Sequence, residues 1–315
     1  MRAIPIVMAA ALSATGCATT PLPPQAMAHN RAGAEHLRAG RLDEAEARFR
    51  LALEYHPAFS EPHANLGVVA LERGDLVSAE AHLRSAIRLR EDFAQAWGNL
   101  GVVFDRTHRG AEAVRVFERA LSIDPGIASI RRNLAFLLAR RGELGPARAH
   151  LVRLLELTPR DVDASSLLAY CELRLGRPRA ALERAERVLA ERPTAARALV
   201  VRGVARAMTR DLDGAVADLE RGVRDPIVGR DARTRLAAVL VIRGDEERAE
   251  VLLRALLRER ERDAAVHLVA ATRSLAVGDA TGGARHARRA LAIEPRLAQA
   301  RVLLAQACVR TRCEE

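Results

Sequence analysis

Residues able to do chemistry occur along the whole chain, but their spacing does not gather them into a catalytic set. There is no G-x-S-x-G, G-x-x-x-x-G-K-[ST], H-E-x-x-H or G-x-G-x-x-G segment. A nucleophile elbow, a phosphate loop, a zinc-protease helix and a dinucleotide fingerprint are therefore not expected. Of nine histidines, His29, His63 and His267 share one phase of a 34-residue interval, and His82, His150 and His286 share another. The first phase reads as a packing column and the second as outward-facing, so neither points to a metal. Four cysteines lack the C-x-x-C pairs of a structural zinc site, and no metal or cofactor is expected. Cys171 reads as a small apolar filler. Cys308 and Cys313 fit either an internal bridge in an oxidising compartment, two thiols, or one intermolecular bond. What remains evenly spaced is amide: Asn65, Asn99 and Asn133 lie 34 residues apart. A primary amide donates and accepts at once, which suits the backbone of an extended peptide. Such a ladder needs elements that repeat at the same interval.

Those elements are present. From Ala26 the chain repeats at a period of 34, with units starting at 26, 60, 94, 128, 162, 196, 230 and 264. The eighth position is always small (Gly33, Gly67, Gly101, Ala135, Ala169, Gly203, Ala237, Ala271), and so is the twentieth (Ala45, Ala79, Ala113, Ala147, Ala181, Ala215, Ala249, Gly283). Small residues at both places let two antiparallel helices approach closely. Gly40, Gly74, Gly142, Gly176, Gly244 and Gly278 stand between the columns, where a helix ends left-handed. Pro57, Pro125, Pro159, Pro193 and Pro295 close the second helix. Pro146 and Pro178 sit in the first turn of a second helix, where a missing N–H is tolerated. One hairpin cannot bury its apolar stripe alone, so neighbouring units must stack. The expected organisation is a leader at 1–17, a Pro-rich tether at 18–25, repeats over 26–297, and a capping first helix with a polar tail at 298–315. Repeat six departs from the pattern: Arg202 and Arg206 stand at core positions, so they snorkel to solvent or pair with Asp211, Asp218 or Glu220. Looser packing and a hinge are expected there. Repeat eight reads as thin, with Gly282, Gly283 and Ala287 where bulkier residues would pack.

The unit beginning at Ala94, AQAWGNLGVVFDRTHRGAEAVRVFERALSIDPGI, carries Trp97, Leu100, Gly101, Phe104, Ala113, Phe117, Ala120 and Pro125. It resembles the tetratricopeptide repeat. The resemblance implies an all-α, right-handed superhelical α-solenoid whose first helices line a concave groove. By the same resemblance the groove carries Asn65, Asn99 and Asn133, with Phe136 and Tyr170 at the ninth position. Arg106, Arg140 and Arg174 join them at the thirteenth, with Arg132 nearby. The asparagines also stand as ordinary consensus residues of such repeats, and both readings remain open. The family's full clamp for acidic chain ends is not present.

At the N-terminus, Arg2 precedes an apolar stretch from Ala3 to Gly16 that meets Cys17, a secretory layout. Fourteen residues at about 1.5 Å each fall short of a hydrocarbon core of about 30 Å. Ala14-Thr15-Gly16-Cys17 resembles the bacterial lipobox, with Ala14 where that motif has Leu. The resemblance implies lipidation of Cys17 and cleavage before it; ordinary signal cleavage near Ala18 or Ala26 is the alternative. Several acyl chains anchor stably where one is marginal. Ala18 is not the acidic residue that retains related lipoproteins at the inner membrane, so an outer-membrane lipoprotein facing the periplasm is expected, with a soluble periplasmic protein as the alternative.

Hydrophobic residues at 49% exclude a disordered chain, and aromatics at 3% with abundant Ala, Leu, Arg and Glu exclude an all-β fold. All basic residues are Arg, and the net charge is +10. Residues 26–127 are net −2 and residues 128–315 net +11. An acidic protein partner is one reading of that asymmetry, and a solvated Arg-rich exterior the other. Nucleic acid is not expected, given the secretory leader and few aromatics for stacking. The function these features point to is a non-enzymatic, envelope-anchored scaffold that holds an extended or helical segment of a partner, in the manner of lipoproteins assisting pilus or secretin assembly. A regulatory adaptor recruiting a periplasmic hydrolase or peptidoglycan enzyme is the alternative.

Overall fold

The computed structural model describes residues 21–311, which fold into seventeen α-helices with no strand among them. Cys17, Cys313 and most of the leader and tether lie outside the described residues. Two compact units are present, one ending at Ala164 and the other beginning at Ser165. The first holds the hairpins α1 (Pro24–Arg38) and α2 (Leu42–Tyr55), α3 (Ser60–Arg73) and α4 (Leu76–Leu89), α5 (Ala94–Arg106) and α6 (Gly110–Ile123), and α7 (Ala128–Arg140) and α8 (Leu144–Leu157). After α9 (Val162–Arg174), the second holds α10 (Pro178–Glu191), α11 (Ala196–Met208), α12 (Leu212–Val223), α13 (Gly229–Arg243), α14 (Glu246–Glu259), α15 (Ala264–Ala276), α16 (Ala280–Ile293) and α17 (Ala298–Thr311). Within each unit every second helix packs on the next first helix, and successive first helices also touch.

The small eighth position is where the hairpin closes. A Cβ on Gly33 would stand 2.6 Å from the Phe49 ring, on Gly67 2.6 Å from Leu83, on Gly101 2.6 Å from Phe117, and on Gly203 2.8 Å from Leu219. In these four units the twenty-fourth residue thus lies flat on the backbone of the eighth. Phe49, Phe117, Leu83 and Leu219 are fully buried, each worth about 1.5–3 kcal/mol of apolar transfer. Gly283 is not a thin spot: Leu275 of α15 fills it, and a Cβ there would stand 2.8 Å from Leu275 Cγ. The first helix supplies the bulk that the second lacks.

All eight hairpins turn through a left-handed residue at the fifteenth position. Six are glycines with φ between 72° and 85°; the other two are His108 (φ 60°) and Arg210 (φ 72°). Aspartate follows at several of these turns: Asp75, Asp211 and Asp279 accept from the backbone N–H of Ser78, Gly214 and Gly282 at 3.0, 2.9 and 2.8 Å.

Three boundaries depart from the period. Helix α1 starts at Pro24, so Pro24 and Gln25, expected in the tether, are helical; proline fits a first turn. Helix α12 is 12 residues long where most second helices have 14, because Pro226 stops it and Asp225 Oδ1 accepts from Ile227 N and Val228 N at 2.8 and 2.9 Å. Helix α13 then begins one residue early, at Gly229, where a Cβ would stand 2.3 Å from the Val223 carbonyl oxygen. Arg202 and Arg206 pair as one of the two expected outcomes. Arg202 grips Asp218 through Nε and Nη2 at 2.7 and 2.6 Å, and Arg206 Nη1 reaches the same carboxylate at 2.9 Å.

Candidate functional site

The three asparagines expected to form a ladder in the groove lie buried inside the stack. Asn65 Nδ2 donates to Asn30 Oδ1 at 3.1 Å, and Asn65 and Asn99 have no exposed surface. Asn133 is 7% exposed; Asn99 and Asn133 are also engaged within the protein. Asn65 thus ties its first helix to the one before it, and burial keeps all three amides from presenting themselves to a peptide. Asn30 escaped the sequence reading because it lies 35 residues from Asn65, one step out of phase.

The arginines of the expected groove are engaged too. Arg106 Nη1 donates to the Leu71 carbonyl at 2.9 Å, closing the end of α3. Arg132 Nη2 lies 2.6 Å from Asp161 Oδ2, and Arg140 pairs with Asp105. In the second unit Arg174 Nη1 donates to the Tyr170 hydroxyl at 2.8 Å, with its guanidinium 5.7 Å from the ring centroid. Phe136 and Tyr170 are both half-buried. The first unit therefore shows a neutralised, largely self-satisfied first-helix face, with Phe136 as its main apolar contribution.

A different feature appears in the second unit. Helices α13, α15 and α17 flank an open hollow of about 320 Å³, lined by Ala238, Val241 and Ile242, by Leu268, Val269 and Thr272, and by Gln299, Val302 and Leu303. In repeat register these are positions nine, twelve and thirteen of one unit, five, six and nine of the next, and two, five and six of the last. The same registers on α5 and α7 carry Val102, Asp105, Arg106, Arg132, Asn133 and Phe136. A salt-bridged polar diagonal in the first unit is thus an apolar hollow in the second, at the lower end of the size range of ligand pockets. Sequence reading missed it because valine and leucine at helical spacing look like core. The signal was the loss of Asn at position six and of Arg at thirteen.

The histidines of position twenty-three, expected outward, are half-buried against position four instead. Position four meets position twenty-three: the rings of His63 and His82 lie 6.2 Å apart, those of His267 and His286 5.4 Å apart, and Arg48 Nη1 lies 3.4 Å from His29 Nδ1. The fourth residue also reaches back six residues to a loop carbonyl. His63, Trp97, Arg131, His267 and Arg301 contact the carbonyls of Pro57, Glu91, Pro125, Glu261 and Pro295 at 3.3, 2.8, 2.6, 2.9 and 2.7 Å. Since the Glu261 carbonyl only accepts, His267 Nε2 donates to it, and the Nδ1 atoms of His267 and His286 lie 3.2 Å apart. Burial holds His63, His82, His150 and His286 below the usual histidine value. The neighbouring cation Arg131 adds to this at His150, and the partner imidazole adds to it at His82 and His286. Cys171 is buried, and burial pushes its thiol up to about 11, the behaviour of an inert filler. No helix among the described residues is long and apolar enough to cross a membrane.

Two family models, each described as the tetratricopeptide repeat, match residues 36–100 and 107–171, and residues 78–127 and 172–227. Among solved structures, a tetratricopeptide repeat protein from Parabacteroides merdae is similar with TM-score 0.61 and 20% identity, over 79% of this chain and 98% of that one. The APC/C Cut9–Hcn1 assembly gives TM-score 0.62 and 18% identity over 87% and 54%. YrrB, described as a repeat protein of this kind with an unusual peptide-binding site, gives TM-score 0.54 and 24% identity over 58% and 96%. FK506-binding protein-like sequences of Rattus norvegicus and Mus musculus are 40% identical over 74 residues, which is 24% of this chain and 21% of each relative.

Proposed function

The chain belongs to the tetratricopeptide-repeat family, whose fold typically serves protein–protein interaction without chemistry, and from that premise we propose that it is an adaptor gripping a partner segment on the first-helix face of its second unit. The observation that carries this reading is the apolar hollow of α13, α15 and α17. It can bury one or two aliphatic side chains of a segment laid across three first helices, while Thr272 and Gln299 offer polar groups to the segment's backbone. The first unit, with its arginines engaged by Asp105, Asp161 and the Leu71 carbonyl, is the less favourable place. Peptide binding by YrrB, a protein of similar fold, supports a segment as the ligand.

The finer role is envelope assembly, with Cys17 as the anchor and a pilus or secretin component as the client; the leader and its cysteine support this. Two measurements test the reading. Cross-linked capture from membranes should fall at least about tenfold when Thr272, which is exposed, becomes Trp and fills the hollow. It should persist in Arg140→Ala; the reverse pattern moves the site to the first unit. Cys17→Ser should shift the protein from pelleted membranes to the soluble fraction, and continued pelleting rejects the anchor. Recovery of a peptidoglycan hydrolase in place of a secretin component would favour the regulatory adaptor.

A further inference from the structure

Helix α16 has a face that the stack does not use. It packs on α15 and α17, and no second helix within either unit packs on another second helix. Ala284, Ala287 and Ala290 are buried on its inner side. Its outer side carries Arg285, Arg288 and Arg289, all exposed, and Arg296 follows in the exposed loop just past its end. The three helical arginines stand at i, i+3 and i+4, so they share one face. Between Ala280 and Ile293 there is no acidic residue, whereas each of the other second helices has at least one. Four of those helices answer an outer arginine one turn away: Arg50 with Glu46, Arg84 with Glu80, Arg153 with Glu156 and Arg254 with Glu250. Around α16 acids stand at the margins. Glu261 lies 3.4 Å from Arg289, Asp279 caps the helix by accepting from Gly282 N, and Glu294 is the C-terminal cap residue. Arg285, Arg288 and Arg296 have no hydrogen bond or ion pair among the described residues. Like charges at these spacings repel, and Gly282 and Gly283 are weak helix formers in the first turn. The helix therefore holds a block of unanswered positive charge.

We propose that this face docks an extended, acidic segment of another protein. Charge complementarity selects an acidic occupant, and guanidinium forks take carboxylates two hydrogen bonds at a time. Four residues of helix advance about 6 Å and two residues of extended chain about 7 Å. Carboxylates at alternate positions of the segment therefore meet Arg285 and Arg289 in register, with Arg288 beside them and Arg296 further along. A lipid surface is the poorer fit, because α16 exposes no bulky apolar side chain to sink below the headgroups. No Phe, Tyr or Trp stands on it to stack a base. None of the residues lining the hollow of α13, α15 and α17 lies on α16, so this surface is independent of the groove reading.

The test uses the full chain and a labelled peptide of alternating glutamate and serine, followed by fluorescence anisotropy. Saturable binding is expected, weakened by raised salt, and weakened at least about tenfold when Arg285, Arg288 and Arg289 all become Glu. Bound peptide should also slow amide hydrogen exchange in α16. The substituted side chains are exposed, so helicity should match the parent chain. The same change of charge at Arg177, Arg179 and Arg187, exposed positions at the start of and along α10, should leave affinity within about threefold. Equal loss in that variant would show a general field in place of a docking face and overturns the proposal. So does a parent chain that does not bind, or a charge reversal on α16 without effect. Co-sedimentation with phosphatidylglycerol vesicles that the α16 variant abolishes, without peptide binding, assigns the face to a lipid surface and overturns the polypeptide occupant.

Discussion

Asp218 offers the sharpest energetic test of how this array tolerates charge in its core. Its carboxylate is 2% exposed and accepts three hydrogen bonds from two guanidiniums, at 2.7 and 2.6 Å from Arg202 and 2.9 Å from Arg206. Asp218→Ala removes the acceptor and leaves both cations. Breaking a buried pair by deleting one partner costs about 3–5 kcal/mol. The Arg202 and Arg206 side chains keep 17% and 26% of their surface, so they swing partly into water, which places the cost near about 3 kcal/mol. Long arrays do not unfold as one piece, so the readout is native-state hydrogen exchange at the amides of α11 and α12, whose opening free energy should fall by that amount. Replacing all three residues together, Arg202→Met, Arg206→Met and Asp218→Leu, should leave opening within about 1 kcal/mol of the parent chain or raise it. An Asp218→Ala effect under about 1 kcal/mol, or a triple variant as weak as the single one, would refute the pairing argument.

Other expectations follow from positions already described. His108→Gly and Arg210→Gly should each raise the opening free energy of their own hairpin by about 0.5–1 kcal/mol in native-state hydrogen exchange, since both residues hold a left-handed turn that costs a side-chain-bearing residue about 1–2 kcal/mol; no gain would contradict the strain. Gly101→Ala should cost about 1–3 kcal/mol, because the new Cβ stands 2.6 Å from the Phe117 ring, and a neutral result would mean the hairpin opens freely. Stability should decline between pH 7.5 and 5. His63, His82, His150 and His286 titrate below their unfolded value of about 6.5, so the unfolded chain takes up protons first as pH falls and the folded state loses ground. Urea midpoints that do not move over that range, or a slope unchanged by His82→Leu, would contradict it.

The hairpins were legible because close helix approach admits only small side chains, and that demand recurs every 34 residues at Gly33, Gly67, Gly101 and their counterparts. The short α12 was legible at Pro226 for an equally local reason. The turns at His108 and Arg210 were not: a left-handed backbone leaves a trace in sequence when glycine supplies it, and here the neighbouring helices impose it. The functional surface was harder still. Which face of an asparagine is buried depends on the helix laid beside it. The acid that answers a given arginine lies 29 residues away for Arg132, 35 for Arg140 and 16 for Arg202, so composition cannot choose among the candidates. Val241, Leu268 and Val302 were passed over because apolar residues at helical spacing read as core until neighbouring backbones show a gap between them.

Arg106 completes the Leu71 carbonyl and Arg310 the Leu275 carbonyl, in each case from the following first helix 35 residues on. On a translating ribosome the chain emerges N-terminus first, so these carbonyls, which already accept from Gly74 N and Gly278 N at 3.1 and 3.3 Å, wait for the next first helix to receive their second hydrogen bond. The growing tip is then the frayed part, and everything behind it is finished. A chain stalled or clipped between hairpins would expose that raw end to proteases, while the portion already made stays protected.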